Sequence, residues 1–575
     1  MIGRLRRDAG QLADLASPRT LATLWRAGVI DPKEGLALGR ALPTYVGRGA
    51  SLGVISHINA VAVGSKDAVR DRSGSLTWRE LDRRANRLAR ALASRGLVGE
   101  RVAVLLRNGR ELVEILLACQ KVGVVSCPLN TWAKPEELRT TLERSEARLL
   151  IYDALHAEQV AEAAPDGLPL VVVGAAKGRR RAKLAGSVPY EDVLEERTGR
   201  PLFPVALDRG SSRVVIHTSG TTGKPKGASR DAGVIGLKEF AGLMDTVPLR
   251  RDDVLFCPAP LFHSFGLLTL AIGSLLGVTF VLPEKFDPEQ SLALIEEHGA
   301  TAASMVPVMI GRVAALLAKT KRKYDVSSLR VLLASGSAVP TELRHSIEDL
   351  FGDVLYDLYG STEAGWVAIA TPQDAAEHPG TVGRPVRGVE VAVFSRGGKR
   401  LKEGRIGELF VKSGARFEGY TSGETKDERE GFMSLGDLGR VEDGYLFVEG
   451  RTDDMVVVGG ENVYPKEVED VIARIDGVRD VAVLGAKDRE YGQVLAAFVV
   501  GSASPKKIAA ACRSSLASFK VPRRIEKVDE LPRTSTGKVL KRELAALLEK
   551  GGAEANPQPK PKPRPRKSTK PRASA

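Results

Sequence analysis

The stretch from Val254 to Pro283 contains no Lys, Arg, Asp or Glu. Its last 18 residues, Gly266–Pro283, reach the length of a membrane-spanning helix. A chain with this feature folds either into a bilayer or around a thoroughly buried core. Pro258, Pro260, His263, Ser264, several glycines and the terminal Pro283 interrupt the run. Proline removes a backbone donor and breaks a helix, and an unpaired backbone group in lipid is costly. The segment therefore reads as a strand, a turn, a buried helix and a second strand. The neighbouring sequence has the same grain. Between about 51 and 330, short β-type runs alternate with helical patterns: Arg101–Leu106, then the helical Gly109–Val122. Leu149–Tyr152, Leu170–Val173, Val214–Ile216 and Phe280–Leu282 are further short buried strands. Such alternation predicts an α/β fold with largely parallel sheets.

The chain has 575 residues, 43% hydrophobic and 27% charged, as soluble globular proteins do. At this length it requires several structural units. The net charge is +14, and it is concentrated at the ends. Residues 557–575 hold seven Lys/Arg and no acid, and residues 1–50 hold eight basic and four acidic residues. The body between them is nearly neutral, which does not fit a specific nucleic-acid-binding domain. Cys119, Cys127, Cys257 and Cys512 form no CxxC pair and no zinc-type cluster, so they read as buried, reduced thiols of a cytosolic protein. Behind Arg4, Arg6 and Arg7 there is no apolar run, which argues against a secretory signal.

Four regions follow. Residues 1–50 are an amphipathic extension: Ile2, Leu5, Ala9, Leu12 and Ala16 recur at helical spacing, and Leu21, Leu24 and Trp25 open a second short helix after Ser17-Pro18. Two readings stand here, a helix packed on the body and an interfacial membrane helix. Residues 51–452 form a large multi-subdomain N-terminal domain. Within it, 380–450 is Gly-rich and strand-rich, as a small β-subdomain would be. Residues 453–548 return to mixed α+β character as a smaller C-terminal domain. The Pro/Lys/Arg-rich 549–575 lacks apolar residues to bury and reads as a disordered basic tail.

The strongest chemical signal is the run from Thr218 to Gly227, directly after the strand Val214–Ile216. Four hydroxyls, three glycines and two lysines within ten residues suit a polyphosphate. Gly223-Lys224 is followed by Pro225, so the run is not a Walker A loop. Tyr359-Gly-Ser-Thr-Glu-Ala-Gly365, Gly436-Asp437, Gly450-Arg-Thr-Asp-Asp454 and Pro532-Arg-Thr-Ser-Thr-Gly-Lys538 follow in that order.

Together these runs resemble the motifs of the AMP-forming adenylating enzymes: acyl-CoA synthetases, adenylation domains and firefly luciferase. The resemblance covers roughly 51–548 and is nearest in style to bacterial long-chain fatty-acid–CoA ligases. It implies ATP, Mg2+ and CoA as cofactor and co-substrates. It implies that Thr218, Ser219, Gly220, Thr221, Thr222, Gly223 and Lys226 hold the phosphates, with Gly336 and Ser337 forming a wall of the nucleotide site. Tyr359 would stack on adenine within Tyr359-Gly360-Ser361, and Thr362 would donate to the α-phosphate. Glu363 would supply a hard oxygen to magnesium between the phosphates. Asp437 would take the ribose hydroxyls, with Arg451 holding ribose or phosphate. Lys538 would bridge the attacking carboxylate and the α-phosphate, lowering the repulsion between two anions. His263, in Leu261-Phe-His-Ser-Phe-Gly266, would sit at the carboxylate pocket. Gly459 and Gly460 would line a pantetheine tunnel, and Asp453 would be a hinge.

Two positions depart from the family pattern: Leu435 stands where a threonine is common, and Arg230-Asp231 replaces Ser/His-type residues. The implied enzyme is an ATP-dependent acyl-CoA synthetase for a medium- or long-chain fatty acid. Phe262, Phe265, Met305, Val306 and Pro307 are expected around the acyl chain, with Trp366 capping the pocket. The alternatives are a ligase loading a carrier protein and a ligase for an aromatic or small acid. The expected partners are small molecules and, through the basic termini, a membrane surface; the expected location is cytoplasmic.

Overall fold

The computed structural model describes residues 17–29, 51–174, 184–196, 213–219, 225–231, 237–320, 323–414, 416–417, 419–452, 454–458, 461–488, 492–534 and 537–550. Two compact units divide the chain. The large one comprises Met1–Val448 with Ser535–Lys538, and the small one Glu449–Thr534 with Val539–Ala575.

The large unit is built on two mixed sheets with parallel centres. The first has nine strands. Its middle runs Leu355–Ser361, Val331–Ala334, Ala302–Met305, Val254–Phe256, Thr279–Val281, Asp67–Asp71, every neighbouring pair parallel. Gly365–Ala370 and Gly74–Thr77 flank it antiparallel. The second has eight strands. Arg213–Ser219, Val125–Pro128, Arg101–Leu105, Leu149–Asp153, Leu170–Val173 and Val188–Pro189 run parallel. Pro225–Asp231 and then Gly419–Tyr420 extend it antiparallel. Central strands such as Val331–Ala334 are buried along their whole length, as parallel strands covered by helices on both faces are.

Local signals explain the helices. Trp78–Ser94 begins at a Thr77/Glu80 capping box and buries Leu81, Ala85, Leu88 and Leu92 at helical spacing. The uncharged stretch resolves into the strand Val254–Phe256, the helix Ser264–Leu276 and the strand Thr279–Val281. That helix has 13 residues, about 20 Å of rise against a hydrocarbon core of about 30 Å. Among the described residues, no helix is long and apolar enough to cross a membrane.

A five-stranded sheet follows in the large unit, with Glu390–Phe394, Gly407–Lys412 and Phe432–Glu442 antiparallel. The small unit centres on Val478–Asp488, Gly492–Gly501 and Arg524–Lys527. Its helices Pro465–Ala473 and Pro505–Ser515 bury Val468, Ile472, Ile508 and Cys512. The helix Lys541–Lys550 buries Leu544 and Leu548. All four cysteines are buried and free.

Candidate active site

The phosphate-type run begins and ends in the two strands of a β-hairpin. Arg213–Ser219 pairs antiparallel with Pro225–Asp231, placing Thr218 opposite Lys226 and Ser219 opposite Pro225. The sequence signalled the first strand only to Ile216. The strand extends three residues further because the returning chain supplies a hydrogen-bonding partner. Gly220, Thr221, Thr222 and Gly223 lie outside the described residues.

The run Tyr359–Gly365 is also a hairpin. Leu355–Ser361 turns through Thr362–Ala364 into Gly365–Ala370, with Ser361 opposite Gly365. A Cβ on Gly360 would lie 2.0 Å from the Gly365 carbonyl oxygen, so only glycine fits there. The Ala364 amide donates to Ser361 Oγ at 3.1 Å and closes the turn. Beside it, Gly336 has a φ of 94°, a conformation glycine adopts without strain. Ser335 Oγ donates to the Leu358 carbonyl at 2.8 Å, tying the Gly336/Ser337 loop to the strand that carries Tyr359.

Side-chain bonds connect these pieces. The Tyr359 hydroxyl donates to Asp437 Oδ2 at 2.6 Å, and Asp437 is only 9% exposed. Thr362 Oγ1 donates to Ser264 Oγ at 3.2 Å, joining the hairpin turn to the start of the helix Ser264–Leu276. The Tyr420 hydroxyl donates to Glu363 Oε1 at 2.6 Å, and the Phe417 amide donates to the Glu363 carbonyl at 2.7 Å. Tyr420 lies opposite Ala228, and the Thr421 amide donates to the Gly227 carbonyl at 2.8 Å. The glutamate hairpin is thereby coupled to the edge of the phosphate-type hairpin through one tyrosine.

The electrostatics favour a fixed anion and a neutral imidazole. Burial raises the Glu363 carboxyl, but the Tyr420 hydroxyl and the Lys426 charge outweigh it, and the net result lies below the ordinary glutamate value. Glu363 is thus an ionised hard-oxygen donor at neutral pH, the chemistry that magnesium held mainly by phosphates requires. Burial pushes His263 down from 6.5 to about 4, so this imidazole is uncharged at pH 7. Its ring lies 4.5 Å from that of Phe262, which meets Trp132 edge-on at 5.5 Å.

One expectation is overturned. Trp366 does not cap a pocket: it is 1% exposed, in a strand inside the nine-stranded sheet, packed in the main core. It follows a glycine in a strand whose six residues are all buried, so its ring points into the core. Met305 and Val306, each 1% exposed, are core residues as well.

In the small unit, Arg451 ends the strand Tyr445–Arg451 and is half-buried. Lys538, the last residue of the segment Ser535–Lys538 that belongs to the large unit, is exposed just before the helix Lys541–Lys550. Lys541 reaches Asp454 at 3.0 Å and Glu469 at 3.9 Å. Asp453, Gly459 and Gly460 lie outside the described residues.

Sequence reasoning missed Tyr420, Ser264 and Lys426. Ser264 adjoins His263 and follows from the helix start there. Tyr420 stands some 57 residues from Glu363 in a two-residue strand, and no local spacing signals it.

The description of the AMP-binding enzyme matches residues 57–421, and that of the AMP-binding enzyme C-terminal domain matches residues 467–538. The chain belongs to the AMP-binding enzyme family. The enzyme is 35% identical over 488 residues to a feruloyl-CoA synthase from Amycolatopsis sp, covering 83% of this chain and 95% of that protein. It is 30% identical over 484 residues to the long-chain-fatty-acid–CoA ligase FadD13 of Mycobacterium tuberculosis, covering 81% and 92%. The crystal structure of ATP-bound MatB from Rhodopseudomonas palustris is similar with a TM-score of 0.73 and 29% identity, over 84% of this chain and 95% of that one.

Proposed function

We propose that this enzyme is an ATP-dependent, AMP-forming acyl-CoA synthetase acting on a medium- or long-chain fatty acid. The observation that carries the reading is the hydrogen-bonded set joining Tyr359 to Asp437, Thr362 to Ser264, and Glu363 through Tyr420 to the phosphate-type hairpin.

In the first half-reaction, a carboxylate oxygen forms a bond to the α-phosphorus of ATP. The bond to the bridging oxygen breaks, and pyrophosphate leaves. Backbone amides and hydroxyls of 218–223, with Lys226, hold the departing phosphates. Tyr359 offers a ring face to adenine while its hydroxyl fixes Asp437 toward the ribose. Glu363, held ionised, would hold magnesium together with the phosphates, where the cation would offset their negative charge. Thr362 donates to the α-phosphate, and Lys538 lies between the two anions as they approach. His263, neutral at pH 7, bounds the carboxylate end without competing for its charge. In the second half-reaction, the CoA thiolate attacks the acyl carbon and AMP leaves. A rearrangement about Asp453 withdraws Lys538 and presents Gly459 and Gly460 to pantetheine.

Phe262 and Phe265, 5% and 8% exposed, supply apolar surface beside His263. This, with the likeness to FadD13, supports a fatty acid. The edge-on Trp132–Phe262 pair and the likeness to a feruloyl-CoA synthase support a second reading, a planar aromatic acid. The enzyme is taken to be cytoplasmic, with the membrane as a peripheral partner. Pyrophosphate release and CoA-thioester formation, measured over saturated acids of increasing length alongside ferulate, decide between the readings. A maximum of kcat/KM on a saturated acid of at least medium length supports the proposal. A maximum on ferulate overturns the fatty-acid assignment, and acyl-AMP without thioester overturns CoA as acceptor.

A further inference from the structure

The helix Pro18–Arg26 leaves much of its apolar surface outward. Its buried residues are Thr20, Thr23 and Leu24. Its solvent side carries Pro18, Leu21, Ala22 and Trp25, with Leu21 44% and Trp25 58% exposed. Leu21 and Trp25 stand one turn apart on the same face. An isolated surface helix shows water its polar side, because burying apolar area is what stabilises its packing. Here a mixed face, with Thr20 and Thr23 beside Leu24, is held to the body. Thr23 donates to Asp245, on the helix Leu237–Thr246. Arg387 donates to Thr20 at 3.1 Å and to Asp245 at 3.0 Å. Ser17 caps the first turn by accepting from the Thr20 amide. The helix cannot roll its apolar face inward without leaving Asp245 and Arg387, both largely buried, short of partners.

The charges beside that face are unbalanced. Among the described residues, Asp245 is the carboxylate that meets Arg19 at 3.2 Å, Arg26 at 3.6 Å and Arg387 at 3.0 Å. Three cations on one carboxylate leave an excess of positive charge. Arg19 and Arg26, 72% and 70% exposed, stand on the flank of the apolar face. The sequence just before it adds Arg4, Arg6 and Arg7 against Asp8 and Asp14. An apolar strip with an exposed tryptophan and a cationic border is complementary to one occupant, a lipid surface with anionic headgroups.

We propose that Leu21, Ala22 and Trp25 form a docking face that seats this protein on an anionic bilayer, with Arg19 and Arg26 at the headgroups. The inference goes beyond the catalytic reading and does not depend on it. It also differs from attraction through basic termini, because its apolar part survives salt.

The test uses the full chain and vesicles of phosphatidylcholine with or without phosphatidylglycerol. Sedimentation at physiological and at high salt compares the parent with Leu21→Ser/Trp25→Ser. Both side chains are exposed, so the melting temperature and turnover on a soluble acid stay unchanged. The salt-resistant binding falls at least about tenfold, since two apolar anchors are removed. Trp25 emission, isolated as the difference from Trp25→Phe, shifts to the blue and is quenched by brominated lipid. Arg19→Gln/Arg26→Gln retains the salt-resistant part and loses the preference for phosphatidylglycerol. Equal vesicle binding by parent and double variant overturns the proposal. So does a Trp25 shielded from an aqueous quencher without vesicles, whether by residues 1–16 or 30–50 or in a dimer that Trp25→Ser dissolves.

Discussion

Glu363 is set by a neighbour and His263 by burial, and the sequence announces neither. Glu363 keeps its charge because Tyr420 donates to it against the cost of burial. Tyr420→Phe removes that donor and leaves the ring. A hydrogen bond to a charged group contributes about 1.5–3 kcal/mol, so kcat/KM falls by about 10- to 100-fold. The acid limb of the pH–rate profile moves upward, because Glu363 then protonates nearer neutrality. A profile that keeps its position while the rate falls would assign Tyr420 a packing role only. His263 gives a stability effect of defined sign. Its folded value, about 4, lies below the ordinary 6.5, so the fold prefers the neutral ring. The contribution is complete above pH 6.5 and is lost as the pH falls toward 4. Urea unfolding between pH 7.5 and 4.5 reads it: the parent loses about 2 kcal/mol more than His263→Gln over that range. Parallel curves for the two proteins would show that the ring is hydrated.

At the scale of elements, the alternation of strands and helices was legible where central strands such as Leu170–Val173 are apolar throughout and helices such as Trp78–Ser94 carry their own start signal. Leu170–Val173 lies where it is expected, and the helix Arg110–Val122, predicted from 109, differs from expectation by a residue. The hairpin return after the phosphate-type run was not legible. Pro225–Asp231 carries Lys226, Arg230 and Asp231, and its pairing depends on Arg213–Ser219 and Gly419–Tyr420, not on an apolar pattern of its own. Polar ties inside the helical layer were equally silent. Lys121 Nζ donates to Asp82 Oδ1 at 2.6 Å and to the Gly53 carbonyl at 2.9 Å. Ser56 and Asn86 donate to the same carboxylate, each at 3.0 Å. Burial raises the Asp82 carboxyl, but His57 and Lys121 more than reverse it and hold it well below the usual range. Lys121→Met leaves that carboxylate buried without its cation and destabilises the large unit by about 3–5 kcal/mol. Asp82→Asn/Lys121→Met recovers part of the loss, because no buried charge remains. A Lys121→Met protein that melts like the parent would place Asp82 in contact with water.

For the whole molecule, the main question is how one chain performs two chemistries. The adenylation residues are held within the large unit by bonds that require no partner domain: Tyr359 to Asp437, Thr362 to Ser264, Tyr420 to Glu363. Lys538 and the glycines at 459–460 belong to the C-terminal region of the sequence, on either side of the Val478–Asp488 hairpin. If adenylation uses Lys538 and thioester formation uses Gly460, the two half-reactions separate by mutation. Lys538→Ala lowers acyl-AMP formation by at least about a hundredfold, the loss of one cation at the transition state. Thioester formation from supplied acyl-AMP and CoA stays within a few-fold of the parent, because in this reading Lys538 is withdrawn from the site for that step. Gly460→Leu gives the opposite pattern, since its side chain obstructs pantetheine and leaves pyrophosphate release intact. Rapid-quench measurement of each half-reaction in both variants reads the difference. If both variants slowed both steps equally, one arrangement of residues would serve both chemistries, and the exchange about Asp453 would have to be abandoned.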